Sequence, residues 1–383
     1  MKKRILAAGL CVALALSMTA CGKTKSKTAT SGELAQSSVE ADMSGTDYKS
    51  KVTLGEYKGL KVAESIDSVD DTVLKKIDCL LVTSGYFNVD TSVCEQKTGT
   101  VEEFDIVNID YVGKLDGEAF EGGTANNYFL GIGTNTFIEG FEEGLKGVKT
   151  GETKDLNLKF PDDYQNTEMA GKEVVFTVKV NYIFGVNDEF VKTNSDEIFY
   201  FLHEYFLNGQ HVNTADEYKE AVREGVRVSN IASAIIDDVT SGAQVEIDEA
   251  ELKTYLDGIK APIIEAADKN NTDFETLISY YYGYKTVEEF DEYYKGIFKN
   301  YVILMKIAKE EGLKLSDEHY LDVVQALVDH SNGSYKNVAD YEANNSKQEV
   351  VDDTICGKVY YKLAEYVKFV PDSEIETKEQ ASE

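Results

Sequence analysis

The sequence predicts an α+β protein in two unlike parts, a small antiparallel sheet domain followed by a longer all-helical one. Three observations carry this. Between Thr100 and Phe184 apolar and polar residues alternate, as in Val107, Ile109 and Tyr111, and Leu115-Asp116-Gly117-Glu118 is an Asp-Gly hairpin signal. From Asp188 onward the apolar spacing changes to three and four. The alternating part holds only one short helical stretch, so it lacks the strand–helix rhythm of a parallel sheet.

Taken in order, Lys51 to Val62 reads as extended and Ser68 to Gly85 as a helix, with Ser68 as N-cap, Asp70 and Asp71 in the first turn, and a stripe of Val69, Val73, Leu74, Ile77, Leu80 and Leu81. Thr100 to Gly113, Lys154 to Phe160 and Glu173 to Ile183 are strand-like, the last two separated by the loop Pro161 to Asn166. Seven helices follow: Asn194 to Leu207, Thr214 to Ser241, Asp248 to Ala267, Thr272 to Tyr282, Thr286 to Gly312, Ser316 to Asp329 and Ser346 to Phe369. Thr214 with Glu217, Thr286 with Glu289 and Ser346 with Glu349 are capping boxes. Tyr280-Tyr281-Tyr282 cannot all face one way on a helix, so at least one ring must meet solvent. The tail after Pro371 is acidic and reads as frayed.

The chain of 383 residues is 42% hydrophobic, enough for globular cores in two or three domains. Its formal charge of −30 disfavours phosphate and nucleic-acid partners, which need clustered cations. Unfolded, basic or apolar polypeptides remain compatible. Lys2-Lys3-Arg4, the apolar run Ile5 to Leu16 and Ser17-Met18-Thr19-Ala20-Cys21 read as a secretory leader whose end resembles a lipoprotein lipobox, and the run is short of the roughly 20 residues that a span needs. That resemblance implies lipid attachment at Cys21. Gly22 to Asp47, rich in Ser, Thr, Ala and Lys, reads as a flexible stalk. Of the remaining cysteines, Cys79 and Cys94 are open to either of two readings, a bridge or two buried small hydrophobes, with Cys356 left over. His203, His211, His319 and His330 have no metal-ligand spacing, so neither a metal nor a cofactor is expected.

Gly131-Ile132-Gly133 lacks the third glycine and the helix of a dinucleotide loop, and Glu142-Glu143 reads as a solvated acidic pair. No nucleophile stands near a base. What remains is a set of rings with almost no reactive groups, and rotation about an X-Pro amide suits it. That barrier of about 20 kcal/mol comes from resonance. A water-poor apolar site favours the twisted, less charge-separated state.

DYVGKLDGEAFEGG, FIEGFEEGLKGVKTGE, KFPDDYQN and GKEVVFTVKV resemble the FKBP-type peptidyl-prolyl isomerases, and most closely the isomerase domain of trigger factor. LGEYKGLKV resembles that family's linker arm, and NTADEYKEAVREGV through KVYYKLAEYV its substrate-cradling helical domain. The resemblance implies an FKBP-like sheet wrapped on a short helix plus a trigger factor C-terminal or SurA-like helical domain. The implied division is leader 1–21, stalk 22–50, linker arm 51–99 packing with the C-terminal domain, isomerase 100–185, helical domain 186–370 and acidic disordered tail 371–383. It implies a site of Tyr111, Phe120, Glu121, Tyr128, Phe137, Ile138, Phe141, Tyr164 and Phe176. In it Phe141 would be the floor, the Ile138 N–H the holder of a substrate carbonyl, Tyr111, Phe120 and Phe176 the walls, and the Tyr164 hydroxyl a further contact. The floor is often tryptophan and the wall acid often aspartate in FKBP proteins, where this chain has Phe141 and Glu121.

Trigger factor begins with a ribosome-docking domain, whereas the residues between Cys21 and Val52 read as stalk. The expectation is therefore an isomerase and chaperone lipid-anchored on the outer side of the cytoplasmic membrane, meeting unfolded secreted polypeptides with X-Pro bonds and not the ribosome. The alternatives are a non-catalytic holdase with a vestigial isomerase domain, and a surface binding module using the tyrosine-rich helices.

Overall fold

The computed structural model describes residues 43–87, 89 and 92–379. The leader, Cys21 and stalk residues 22–42 lie outside the described residues. The chain enters through three short strands, β1 (Met43–Ser44), β2 (Lys51–Thr53) and β3 (Lys61–Ala63), and helix α1 (Asp71–Thr83). α1 starts later than its pattern suggests. Asp70, not Ser68, is the N-cap, because its carboxylate accepts from the Thr72 and Val73 amides at 2.7 and 3.1 Å while the Ser68 hydroxyl donates to the Ser65 carbonyl.

Five antiparallel strands follow, β4 (Glu95–Lys97), β5 (Ile106–Leu115), β6 (Glu118–Gly131), β7 (Thr153–Lys159) and β8 (Glu173–Gly185), with the short helix α2 (Phe141–Leu145) between β6 and β7. The sheet order is β4-β8-β5-β6, and β7 shares with β4 one edge of β8, where they pair with opposite ends of that long strand. The expected hairpin joins β5 to β6, with Leu115 opposite Glu118. Asp116 and Gly117 have φ of 52° and 87°, the left-handed pair that a two-residue turn needs to match strand twist. Val107, Ile109, Leu130, Val178 and Val180 project from the sheet onto Phe141 and Leu145 of α2, and all are fully or almost fully buried.

The helical part comprises α3 (Asp188–Thr193), α4 (Ser195–Phe206), α5 (Ala215–Ser241), strand β9 (Gln244–Glu246), α6 (Glu249–Lys269), α7 (Phe274–Tyr282), α8 (Val287–Glu310), strand β10 (Lys314–Leu315), α9 (Asp317–Asp329), α10 (Val338–Asn344), α11 (Lys347–Tyr366), strand β11 (Lys368–Val370) and α12 (Asp372–Glu379). The expected caps form. Thr214, Thr286 and Ser346 accept from the amides of Glu217, Glu289 and Glu349. In the first two the glutamate reaches one residue further back than a capping box requires, to the amides of Asn213 and Lys285.

Three strand pairs fasten the arm to the helical part: β1 with β10 and β2 with β9, both antiparallel, and β3 with β11 in parallel. These overturn two sequence expectations. Residues 43–50 of the stalk are held, with the Thr46 amide on Asp352 at 2.7 Å and the Lys49 and Ser50 amides on Glu251. The last helix stops at Tyr366 because Val367-Lys368-Phe369-Val370 has β-prone side chains and a partner in Lys61-Val62-Ala63. The acidic tail is not frayed through its described residues: α12 lies on β3, tied by Ser65 N donating to Asp372 and by Lys61 to Glu374.

α1 faces two ways. Cys79 and Thr83 press on Gly131 of β6, while the Tyr218 hydroxyl of α5 donates to Asp78 at 2.7 Å and Arg223 and Arg227 pair with Asp71 and Asp67. Cys79, Cys94 and Cys356 are buried and none of them is in a disulfide, so of the two readings the structure has no bridge between Cys79 and Cys94. Among the described residues no helix is long and apolar enough to cross a membrane.

Candidate active site

The hairpin and its neighbours bring rings from five chain segments into one network. Tyr111 of β5 is the hub, with edge-on contacts to Tyr128, Phe137, Phe141 and Phe176 at centroid distances of 6.1, 5.6, 6.0 and 6.0 Å. Phe137 lies 4.5 Å from Phe141, which in turn meets Phe176 at 5.2 Å. Phe120 carries the network onward to Phe176 and Phe160, and Phe160 to Tyr164 at 4.5 Å. Such edge-to-face pairs add roughly 0.5–1.5 kcal/mol each beyond area burial. The network has room for Phe120 because Gly113 has no side chain. A Cβ there would come within 2.6 Å of the Phe176 ring and 2.7 Å of Phe120.

Of the nine residues expected at the site, seven are rings in this network. Phe141 is 0% exposed and Phe137 covers it, so the expected floor is closed over by a loop side chain. Tyr128 and Tyr164 are exposed, one at each end of the network. Ile138 packs on the same core, and its amide has no acceptor among the described residues, which leaves one N–H free beside the rings. Glu121 is exposed and stands outside the network. Open depressions of about 410 and 400 Å³ flank the rings, one along Pro161, Asp163 and Tyr164, the other along Phe137, Ile138 and Gly140.

Burial, and then the neighbouring Tyr128, push the Tyr111 phenol up. The Cys79 thiol behind β6 is pushed up to about 12 by burial and by acids led by Glu142, so it is no nucleophile. Among the described residues no group of three His, Cys, Asp or Glu side chains could hold a metal ion.

Two contributors escaped the sequence reading. Phe160 ends an alternating run directly before Pro161, a position that could have marked it as an inward ring. Glu142 is the larger correction. It is not half of a solvated pair but 7% exposed, and its carboxylate accepts from the amides of Gly133, Asn135, Thr136 and Phe137 and from the Thr136 hydroxyl. Glu143 beside it has a side chain 73% exposed and paired with Lys146.

Comparison with known proteins bears on the family of the chain. Residues 97–181 match the FKBP-type peptidyl-prolyl cis-trans isomerase family. Trigger factor of Staphylococcus saprophyticus is 32% identical over 333 residues, which cover 84% of this chain and 72% of the relative. Trigger factor of Staphylococcus carnosus is 33% identical over 334 residues, covering 85% and 72%. The chain belongs to the trigger factor family. A solved chain from work on promiscuous substrate recognition by the trigger factor chaperone aligns over 83% of this chain and 73% of its own, at 16% identity and a TM-score of 0.32. As a member of this family the chain is a peptidyl-prolyl isomerase and a chaperone. Its ring network suits that reaction, since turning an X-Pro amide calls for desolvation and a carbonyl anchor and for no covalent partner.

Proposed function

We propose that this trigger-factor-family chain works outside the cytoplasm, lipid-anchored at Cys21, isomerising X-Pro bonds in secreted polypeptides as they emerge unfolded, with no role at the ribosome. The single observation behind the location is the leader: three cations, an apolar run too short to span, and small residues ending at Cys21, set in front of a foldase. The reaction rests on the ring network. A prolyl ring entering beside Tyr111 and Phe176 leaves water, its preceding carbonyl meets the Ile138 N–H, and the Tyr164 hydroxyl reaches the peptide backbone. Desolvation then lowers the barrier by disfavouring the planar, charge-separated amide.

The location is tested by labelling cells with a fatty-acid analogue. Wild type takes up label and sediments with membranes, and Cys21→Ala does neither. Equal labelling and sedimentation of the two proteins sinks the anchor.

A second reading, a holdase that needs no isomerase chemistry, is favoured by one observation. Tyr280 and Tyr281 at the end of α7 are 79% and 69% exposed, and Tyr282 and Tyr293 are exposed near them. Rings held out in water suit transient capture of apolar segments. Full-length protein carrying Phe120→Ala and Phe141→Leu discriminates. The holdase reading expects undiminished suppression of client aggregation from a protein that has lost its proline turnover.

A further inference from the structure

Glu142 holds a carboxylate in the core beside the site with no ion pair to it among the described residues. Burying a lone carboxylate is costly unless hydrogen bonds replace its water. Here five donors do so, and all come from one short loop. Oε2 takes the amides of Gly133 and Asn135, each at 2.9 Å, and Oε1 takes those of Thr136 and Phe137 at 2.8 and 3.3 Å together with the Thr136 hydroxyl. Four N–H groups within five residues can converge on one point only if the backbone curls around it. Gly133 and Asn135 are left-handed, with φ of 90° and 56°, and supply that curl at an energetic cost that the carboxylate offsets.

The curl decides what the next residues do. Each amide claimed by Glu142 faces inward, and the first amide beyond its reach, that of Ile138, has no acceptor among the described residues. The same curl lays Phe137 on Phe141, and the Ile138 carbonyl then accepts from Phe141 N at 3.1 Å to start α2. From the other side the loop leans on Gly131, where the Thr134 hydroxyl donates to its carbonyl at 2.9 Å and Cys79 of α1 closes off the space. Glu143, one residue later, has the same chemistry and faces water, so position and not composition gives Glu142 its part.

We propose that Glu142 is a positioning residue for isomerisation: its carboxylate shapes the Gly133–Phe137 loop so that the Ile138 N–H points at the substrate carbonyl and Phe137 lies at the floor. It touches no reacting atom. The loss on its removal appears mainly as a slower kcat, because a misdirected N–H weakens the twisted state more than the bound one.

The test uses the full-length protein, a chromogenic proline-containing tetrapeptide, and amide spectra of the loop. Glu142→Ala is expected to lower kcat/KM at least tenfold, and Glu142→Gln, which keeps one acceptor oxygen, to fall between it and wild type. Glu143→Gln stays within twofold of wild type. In parallel, exchange protection of the Gly133, Asn135 and Thr136 amides falls in the same order, and the Ile138 amide shift induced by peptide shrinks. Wild-type turnover checks the isomerase activity separately, and the Ile138 shift reports the loop's role even without turnover. Turnover within twofold of wild type in folded Glu142→Ala overturns the proposal, as does lost turnover with the loop amides still protected. Should Glu142→Ala fail to fold, Glu142→Gln decides: wild-type rates and protection there overturn it as well.

Discussion

The molecule uses aromatic rings in two places and in opposite ways. Around Tyr111, rings drawn from distant segments close on one another, and the innermost, Phe141, has no exposed surface. At the end of α7, consecutive tyrosines of a single helix stand in water over a small separate core of Leu277, Ile278, Phe290 and Tyr294. A network assembled by tertiary structure fixes geometry and excludes water, which is what a reaction needs. A local run on one helix offers area without fixed geometry, which is what varied clients need. Ring content alone would have scored the two regions alike.

The largest expected effect sharpens the first half of that contrast. Phe141→Ala removes a fully buried ring, so the isomerase domain loses about 3–5 kcal/mol of stability and proline turnover falls at least tenfold. Phe141→Leu keeps apolar volume, costs less than about 1.5 kcal/mol by thermal melting, and still loses tenfold in kcat/KM. Turnover retained in the leucine variant breaks the claim that ring geometry matters there.

A smaller effect is expected at the other region. Tyr280→Ser with Tyr281→Ser changes stability by no more than about 0.5 kcal/mol, since both rings are already in solvent. Light scattering from an aggregating client rises severalfold relative to wild type, while tetrapeptide turnover is unchanged. Unaltered scattering removes the functional side of the comparison.

The smallest effect concerns what joins the regions. Glu311 accepts from the Tyr57 hydroxyl at 2.6 Å and the Tyr366 hydroxyl at 2.5 Å and pairs with Lys58, clamping the arm to α8 and α11. Lys58, then Tyr366 and Tyr57, hold its carboxyl down to about 2. A depressed folded pKa contributes stability that is full above the unfolded value of about 4.3 and is lost as pH falls toward 2. Glu311→Gln is expected to cost about 1 kcal/mol at pH 6 and to narrow its gap to wild type at pH 3, read from urea midpoints. A gap that widens on acidification contradicts the clamp.

How much of this was legible depended on distance along the chain. The Leu115–Glu118 hairpin and the caps at Thr214 and Thr286 are local chemistry, and the sequence signals them directly. The ring set came from motif resemblance, and seven of the nine side chains it named meet in one network, but the resemblance did not show that Phe137 covers Phe141. Glu142 and Glu143 were indistinguishable as letters, because their fates differ only by which side of a five-residue helix meets the loop. The absence of a disulfide between Cys79 and Cys94 had no local signal at all, and neither did the pairing of Lys61–Ala63 with Lys368–Val370.

That last pairing also orders the birth of the molecule. The arm leaves a ribosome some 300 residues ahead of its parallel partner, and parallel pairing across that separation is slow to form. The isomerase sheet lies wholly between them and closes on contacts within its own span. It can therefore finish while the rest of the chain is still being synthesised, and the helical body is sealed only when β11 arrives to meet a strand that has waited for it.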